Sequence, residues 1–345
     1  MPRGQAPTPA DVRLDVTADG RELGIGLQTD KLPGEYTPLA RIADRGGFDV
    51  ITTFNDLWYQ PALPALLEIA QATERVRIGP SCLNPYTVHP VELAGQTAVL
   101  DLVSHGRAFL GLAAGAWLES IGIEQRRPAA TIAEAWEIVS LLLAGDRSGY
   151  EGEVFRLSPG TGLAYAPRRE HVPLLIGTWS PALTALAAEH ADELKLGGTA
   201  NPAVIQLVRK RLGPVGVGIV AGAVTVVDHD GARAREVARR RVAMYLDVVA
   251  KLDATVAFDP ELLTTLAARV AAHDSDGAAQ LISDETLDLF AFSGTPAQVA
   301  GQAEALFEAG ARRVEFGSPH GLDEVGGLDL LAREVVPRLR DHLTS

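Results

Sequence analysis

The stretch VPLLIGTWSPALTALAAEHADELKLGG, residues 172–198, contains a strand, a helix and a second strand in an order typical of parallel sheets. Its apolar run Leu174–Thr178 predicts a buried strand, and Glu193–Leu196 predicts the next one. Between them, Pro181–Glu189 has helical spacing and begins with a proline, which the first turn of a helix tolerates. This β-α-β unit predicts an α/β fold with parallel strands.

The same alternation extends along most of the chain. Eight apolar runs are predicted as strands: Leu23–Gln28, Val50–Thr53, Val76–Cys82, Ala108–Ala113, Leu174–Thr178, Glu193–Leu196, Val217–Val227 and Arg313–Phe316. Eight segments are predicted as helices: Thr37–Arg45, Pro61–Thr73, Pro90–Val103, Thr131–Ala144, Pro181–Glu189, Pro202–Leu212, Pro296–Ala309 and Leu328–Leu343. Eight β/α repeats predict a closed (β/α)8 TIM barrel, and a doubly wound open sheet is the competing arrangement because alternation alone does not show closure.

Three parts of the chain exceed a minimal barrel. Residues 1–22 are predicted as a proline-rich tail with a possible hairpin, in which Leu14–Val16 and the first strand flank the turn pair at 19–20. Residues 149–166 are predicted as a hairpin-like insertion, and residues 228–290 as a helical insertion. We therefore expect one barrel domain over residues 23–345, although average domain size suggests about two domains for this length.

The composition excludes several classes of protein. Apolar residues make up 47% of the chain, and 31 basic against 44 acidic residues give a net charge of −13, which disfavours nucleic acid and anionic lipid as partners. The single cysteine, Cys82, cannot form an intrachain disulfide, and residues 1–20 contain no signal-peptide pattern. No segment approaches the roughly 18 apolar residues of a spanning helix. We expect a soluble, cytoplasmic protein.

In a TIM barrel, catalytic groups lie at the carboxyl ends of the strands. The second predicted strand is followed by Asn55 and Asp56, an amide and a carboxylate. The third runs into residues 79–90, GPSCLNPYTVHP, whose prolines predict a bulged strand end with a constrained backbone. The fourth ends in residues 111–116, GLAAGA, whose glycines and alanines leave room for a flat ligand.

The fifth predicted strand leads directly into a helix through GTWSP, residues 177–181. Backbone amides at that helix start, with the hydroxyls of Thr178 and Ser180, predict a phosphate cradle, which Gly197 and Gly198 would extend. Ordinary capping of the helix by Ser180 is the structural alternative. The chain has neither a Walker loop nor the GxGxxG fingerprint.

Motifs for metal or covalent catalysis are missing from the sequence. There is no HExxH, no pair of cysteines and no GxSxG. The acidic clusters at 228–231 and 273–277 each end in a glycine and are predicted as turns and helix caps. A bound cofactor that carries the reactivity is the simplest inference.

Four segments in this order carry a family resemblance: IGPSCLNPYTVHP (78–90), VLDLVSHGRAFLGLAAG (99–115), VPLLIGTWSPALTALAAEHADELKLGG (172–198) and SGTPAQVAGQAEALFEAGARRVEFGSPHG (293–321). Together they resemble the bacterial luciferase-like superfamily, and within it the deazaflavin-dependent branch typified by methylenetetrahydromethanopterin reductase. The resemblance implies a TIM barrel with insertions, usually a homodimer, that binds coenzyme F420 or FMN at the carboxyl ends of its strands.

The resemblance also implies where the cofactor binds. Ser81-Cys82 matches the place where deazaflavin members hold a non-prolyl cis peptide in a bulge that backs the ring, and the alternative for Cys82 is a small buried apolar residue. The implied cofactor-binding positions are Ser81, Cys82, Asn84, Ala114, Gly115, Gly177, Thr178, Trp179, Ser180, Gly197 and Gly198.

Some positions depart from the family pattern. Asn55 and Asp56 stand where members often carry Asp-His, and Ala116 stands where some carry an acidic proton donor. Ala200 replaces an expected lysine, which disfavours a sugar-phosphate substrate. Among the candidate catalytic residues Asp56, His89 and Asn55, Asp56 is therefore the leading acid/base and His89 the reserve, with helix capping or packing as the alternative for His89.

The leading hypothesis is an oxidoreductase that transfers a hydride between F420 and a small organic substrate. An FMN-dependent monooxygenase and a non-catalytic cofactor-binding relative are the alternatives, and the sequence names neither the substrate nor the direction of transfer. Five aromatic residues are candidates for a substrate wall, with packing of the insertions as the alternative: Trp58, Tyr59, Tyr86, Trp117 and Trp179.

Overall fold

The computed structural model describes residues 20–341. The strands are β1 Glu22–Leu27, β2 Val50–Thr53, β3 Arg77–Pro80, β4 Leu110–Ala113, β5 Tyr150–Glu151, β6 Arg156–Leu157, β7 Leu174–Gly177, β8 Glu193–Gly197, β9 Gly218–Val227, β10 Ala291–Gly294 and β11 Arg313–Gly321. The helices are α1 Tyr36–Arg45, α2 Ala62–Ala72, α3 Pro90–Val103, α4 Pro128–Leu143, α5 Pro181–His190, α6 Pro202–Leu212, α7 Gly231–Ala243, α8 Leu246–Leu252, α9 Pro260–Ala271, α10 Ser275–Ala279, α11 Asp284–Phe290, α12 Pro296–Glu308, α13 Glu324–Leu330 and α14 Val336–Asp341. A 3-10 turn at Leu118–Ile121 and a π-helical turn at Leu331–Val335 complete the elements.

Within residues 20–341, eight parallel strands close into a barrel. Their order around it is β1, β2, β3, β4, β7, β8, β9 and β11, and β11 pairs with β1. Between β3 and β4, closure consists of two isolated parallel bridges, Ile78 to Ala108 and Leu83 to Leu112. The predicted TIM barrel is confirmed, and the open sheet is wrong.

All eight predicted strands are present, and the largest difference among the predicted helices is at the carboxyl terminus. The predicted helix Leu328–Leu343 begins earlier, at Glu324, because the Asp323 side chain accepts a hydrogen bond from the Gly326 amide and caps α13. The π-helical turn then separates α13 from α14. In the predicted hairpin of the tail, Leu14–Val16 and the first residue of the turn lie outside the described residues.

The first insertion contains the predicted hairpin. Strands β5 and β6 pair antiparallel, with Tyr150 opposite Leu157. The Glu134 carboxylate on α4 accepts hydrogen bonds from the backbone amides of residues 153–155, at 2.8–2.9 Å. The tip of the hairpin is thereby attached to the helix that precedes it.

The second insertion, residues 228–290, holds helices α7 to α11, and it is followed directly by β10, a strand that the sequence pattern did not predict. Its helices enclose an apolar cluster of their own, in which Ala238, Leu266 and Leu287 are buried. Strand β10 pairs parallel with β9 over residues 224–227, directly beyond residues 218–222, where β8 pairs. The two acidic clusters contribute the caps Asp230 on α7 and Asp274 on α10, as predicted.

Charged side chains fill the end of the barrel where the strands begin. Glu22, Arg77, Glu193 and Arg313 are each the first residue of a strand, and all are buried. An Arg77 Nη lies 2.5 Å from Glu22 and 3.3 Å from Glu193, whose other oxygen lies 3.1 Å from Arg313. Although burial opposes ionisation, the two arginines hold the pKa of Glu193 below its ordinary value. Within the described chain, no helix has the length and apolar character needed to cross a bilayer.

Candidate functional site

The predicted cofactor residues gather where the barrel strands end, a region we call the barrel mouth. Ser81 and Cys82 follow β3 directly and are joined by a non-prolyl cis peptide bond, as predicted. A Cβ added at Gly177 would lie 2.8 Å from Cys82 Sγ, and one at Gly111 would lie 3.4 Å away. Burial raises the pKa of the Cys82 thiol to about 11, so the thiol is protonated at neutral pH. Cys82 therefore occupies a space that depends on glycines in β7 and β4.

Below this strand end lies a buried lysine that the sequence analysis missed. Lys195 Nζ donates a hydrogen bond to Ser81 Oγ at 2.6 Å and forms an ion pair with Glu315. Its Nζ also lies 5.3 Å from the centre of the Phe54 ring. The signal was present in the sequence: Lys195 stands two residues after Glu193 in a buried strand, so both side chains point to the same face, the barrel interior.

Asp56 is half-buried beside the end of β1. Its Oδ2 accepts a hydrogen bond from Gln28 Nε2 at 3.3 Å. Burial raises the pKa of Asp56 above its ordinary value, against the opposing effects of Gln28 and the Lys195 charge. A carboxyl group with a raised pKa keeps its proton to a higher pH than an ordinary carboxyl group does, which suits a group that transfers a proton.

The other two candidate catalytic side chains make contacts typical of structural residues. Asn55 Oδ1 accepts a hydrogen bond from the Ala62 amide at the start of α2, at 3.1 Å. His89 Nδ1 accepts one from the Val91 amide at 3.2 Å, which caps α3, and its ring packs edge-on against Phe155. The structure thus contains the capping arrangement given as the alternative for His89, and a catalytic role for either residue stays a prediction.

Asn84, Ala114 and Gly115 lie in two neighbouring loops of the mouth. Asn84 Oδ1 accepts hydrogen bonds from the amides of residues 86 and 87, at 3.2 and 2.9 Å. A Cβ added at Gly115 would lie 3.2 Å from the Asn84 side chain. Gln125 Nε2 donates to the carbonyls of Ala114 and Gly115, at 2.6 and 2.8 Å. The backbone carbonyls of this loop are therefore fixed before any ligand binds.

The start of α5 supports the predicted phosphate cradle. Thr178 Oγ1 accepts a hydrogen bond from the Ser180 amide at 2.9 Å, which shapes the turn into the helix. The Ser180 side chain makes no capping hydrogen bond, so the capping alternative for Ser180 is wrong. The amides of the first turn of α5 are thus left without a side-chain cap, and such amides bind anions.

The glycine pair after β8 divides into two different environments. The amides of Gly198 and Thr199 both donate to the Gly222 carbonyl, at 2.7 and 3.0 Å, so these two amides are engaged within the fold, and a place for Gly198 in the cradle stays a prediction. Gly197 is exposed, and a Cβ added there would meet no atom within 4 Å. Trp179 Nε1 donates to the Gly197 carbonyl at 3.3 Å. Gly197 therefore borders open space beside the start of α5.

The aromatic residues of the mouth separate into exposed and attached side chains. Trp58 and Tyr59 are 66% and 48% exposed after β2, and Trp117 is 41% exposed after β4. The Tyr86 hydroxyl donates a hydrogen bond to the Arg126 carbonyl at 2.8 Å, and the Trp179 indole donates one to the Gly197 carbonyl. Within residues 20–341, no group of three or more His, Cys, Asp or Glu side chains is placed to hold a metal ion.

This geometry agrees with the comparisons with known proteins. The profile of the family "Luciferase-like monooxygenase" matches residues 19–313. The chain belongs to this family. A 5,10-methylenetetrahydromethanopterin reductase of Archaeoglobus fulgidus is 31% identical to it, over 92% of this chain and 100% of the relative.

Two further relatives of this luciferase-like chain are similar over comparable lengths. An F420-dependent glucose-6-phosphate dehydrogenase of Microbacterium testaceum is 27% identical, over 89% of this chain and 94% of the relative. The solved structure of the coenzyme F420-dependent tetrahydromethanopterin reductase from Methanopyrus kandleri matches with a TM-score of 0.85 and 25% identity, over 92% of this chain and 99% of that chain. The expected family membership and fold are confirmed.

Proposed function

We propose that this luciferase-like chain is an oxidoreductase that transfers a hydride between coenzyme F420 and a small organic substrate at the barrel mouth. The observation that carries the proposal is the start of α5 at the barrel mouth, whose first-turn amides have no side-chain cap, in a chain that is similar over nine-tenths of its length to an F420-dependent reductase. At the neighbouring end of β3, glycines of β7 and β4 leave the space that the Cys82 side chain fills.

The residues of the mouth fit such a cofactor in three places. The uncapped amides at the start of α5 would hold its phosphate, and the open space at Gly197 adjoins them. The strand end at Ser81 and Cys82 would support the ring. When bound, F420 supplies the carbon that exchanges the hydride, and the protein supplies orientation and charge.

Asp56 is proposed as the group that moves the proton accompanying the hydride. Its carboxyl has a raised pKa because it is buried, and Gln28 holds its Oδ2. Asn55 and His89 are weaker candidates for this proton transfer, because each accepts a hydrogen bond from a backbone amide at the start of a helix. The exposed rings of Trp58, Tyr59 and Trp117 are proposed as the apolar wall for the substrate.

Titration of the protein with F420 and, separately, with FMN tests the proposal through quenching of its four tryptophans. We expect F420 to bind at least about tenfold more tightly than FMN, a difference of about 1.4 kcal/mol. Riboflavin, which lacks the phosphate, is the control for ring binding alone. Tight binding of FMN without F420 would instead indicate the monooxygenase alternative, and binding of neither would indicate a non-catalytic relative.

A homodimeric state and a cytoplasmic location complete the proposal. Both are supported by the family resemblance stated above, and the single cysteine is compatible with a reducing compartment. Light scattering of the protein during gel filtration tests the dimer: a mass near 73 kDa, twice the 36.5 kDa of one chain, is expected. A mass near that of one chain would contradict it.

A further inference from the structure

An ion pair in the barrel interior connects the buried charges to the mouth. Among the described residues, the interior holds three acids and three bases in contact: Glu22, Glu193, Glu315, Arg77, Lys195 and Arg313. Four of them are the first residues of their strands. Lys195 and Glu315 lie two residues further along β8 and β11, and Lys195 bonds Ser81.

The bond between Lys195 and Ser81 crosses the barrel. Strand β3 has β2 and β4 as its neighbours, and β8 has β7 and β9. No ladder of backbone hydrogen bonds therefore joins β3 to β8, and the 2.6 Å contact between the two side chains links the end of β3 to the middle of β8. Hydrogen bonds from a charged donor are about twice as strong as neutral ones. The position of the cis peptide thus depends on a side chain from the opposite wall.

We propose that Lys195 is a positioning residue: held by Glu315, its ammonium group fixes the Ser81–Cys82 strand end in the place where it supports the cofactor ring. The part of this inference that concerns the ring rests on the proposed function. The part that concerns the strand end is independent of any cofactor.

Stability alone gives a weak reason for a buried ion pair at this place. Burying two charges costs desolvation energy, and replacing such a pair by apolar side chains is often neutral or stabilising. The barrel interior also contains an apolar cluster of Val50, Phe109, Leu175 and Val220, so apolar side chains are compatible with this interior. What apolar side chains cannot replace is the hydrogen bond that Lys195 donates to Ser81.

The test uses a variant that removes both charges together, Lys195→Met with Glu315→Leu, so that neither ion is left without its partner. Ser81→Ala removes the acceptor and keeps the pair, and Ser81→Thr keeps a hydroxyl. The matched control is Asp101→Leu with Arg169→Met, which removes a pair with a buried aspartate between α3 and the loop before β7.

Cys82 provides a readout that needs no cofactor, because it is the only cysteine of the chain and follows Ser81. We expect its reaction with the uncharged reagent 4,4′-dithiodipyridine to be about tenfold faster in the pair variant and in Ser81→Ala, because the strand end loses its anchor. Rates measured over a range of pH separate access from a changed thiol pKa. Ser81→Thr and the control pair should react like the wild type.

F420 affinity and the absorbance spectrum of bound F420 form the second readout. We expect about tenfold weaker binding in the pair variant and in Ser81→Ala, and no further loss when the two are combined, because both remove the same contact. If the pair variant and Ser81→Ala match the wild type within twofold in Cys82 reactivity, the inference is wrong. If the pair variant does not fold, the comparison of Ser81→Ala with Ser81→Thr, in Cys82 reactivity and in F420 affinity, tests the inference instead. Wild-type protein that fails to bind F420 would overturn the proposed function. The Cys82 reaction rates would still test whether Lys195 fixes the strand end at Ser81.

Discussion

The two ends of the barrel interior use polar residues in opposite ways. Where the strands begin, Arg77, Glu193 and Arg313 are buried and contact one another. Where the strands end, the first turn of α5 has no side-chain cap and Trp58 exposes two-thirds of its surface. The first end has matched its charges internally, whereas the second presents groups that suit a ligand. Substitutions at the first end should therefore change stability, and those at the second end should change binding and turnover.

The largest effect is expected at the beginning of the strands. Glu193→Leu leaves Arg313 and Arg77 buried with too little negative charge, which should lower the free energy of unfolding by about 3–5 kcal/mol. Urea unfolding followed by circular dichroism measures this loss. The control is the exposed ion pair of Arg127 with Glu153. There, Glu153→Gln should lower the free energy of unfolding by less than about 1 kcal/mol. Similar losses for both variants would mean that the interior charges are not energetically special.

The next largest effect concerns Asp56. Asp56→Asn keeps the side-chain volume but removes the ionisable carboxyl group, so we expect turnover to fall about 100-fold while F420 affinity stays within about threefold. The fluorescence of F420 measures both the affinity and the turnover. The substrate for the turnover assay is any ketone, alcohol or imine that the protein converts. Asn55→Ala is the neighbouring control, which should lose the contact with Ala62 and about 1 kcal/mol of stability with little effect on turnover. The reverse pattern would transfer the catalytic role to Asn55.

Gly197 allows the open space to be filled without disturbing the fold. Because a Cβ added there meets no atom within 4 Å, we expect Gly197→Leu to leave the melting temperature within a few degrees of the wild type and to weaken F420 binding at least about tenfold. Gly216→Leu is the matched control: that glycine also has open space around it but precedes β9, at the other end of the barrel. Unchanged F420 affinity in Gly197→Leu would place the phosphate elsewhere.

The smallest effect is a pH dependence at the end of β11. Glu324 lies 3.0 Å from Lys31 and 2.8 Å from Ser318, and despite partial burial these partners and His320 lower its pKa from 4.5 to about 2. A lowered pKa stabilises the folded protein above the ordinary pKa, and this contribution is lost as the pH falls from about 4.5 towards 2. Glu324→Gln should therefore melt a few degrees below the wild type at neutral pH, and the difference should shrink over that interval. A constant difference at every pH would contradict the assignment.

The parts of the fold that could be predicted are the strands and helices that a short segment of sequence determines by itself. Apolar runs such as Val50–Thr53 and proline-led helices such as Pro202–Leu212 have the bounds that the sequence analysis predicted. Strand β10 was missed because it follows α11 without a break and is only four residues long. Its strand character depends on pairing with β9, a contact between distant parts of the chain.

The site shows the same division. The cis peptide at Ser81–Cys82 was predicted from resemblance, and the start of α5 from its position after a strand. Whether the Gly198 amide is free could not be read from the sequence, because its partner is the carbonyl of Gly222 on another strand. Lys195 was overlooked because a charged residue in a strand is usually exposed: its spacing places it on the face of Glu193, and the closed barrel shows that this face is the interior.

Through strand β9, we expect the second insertion to unfold together with the barrel. Its first half pairs with β8 and its second half with β10, while β11 runs along the other side of both halves. Cooperative units of unfolding usually follow such shared backbone contacts. The amides of β9 and β10 should therefore exchange with solvent deuterium at similar slow rates, and the helical insertion should not melt as a separate transition ahead of the barrel.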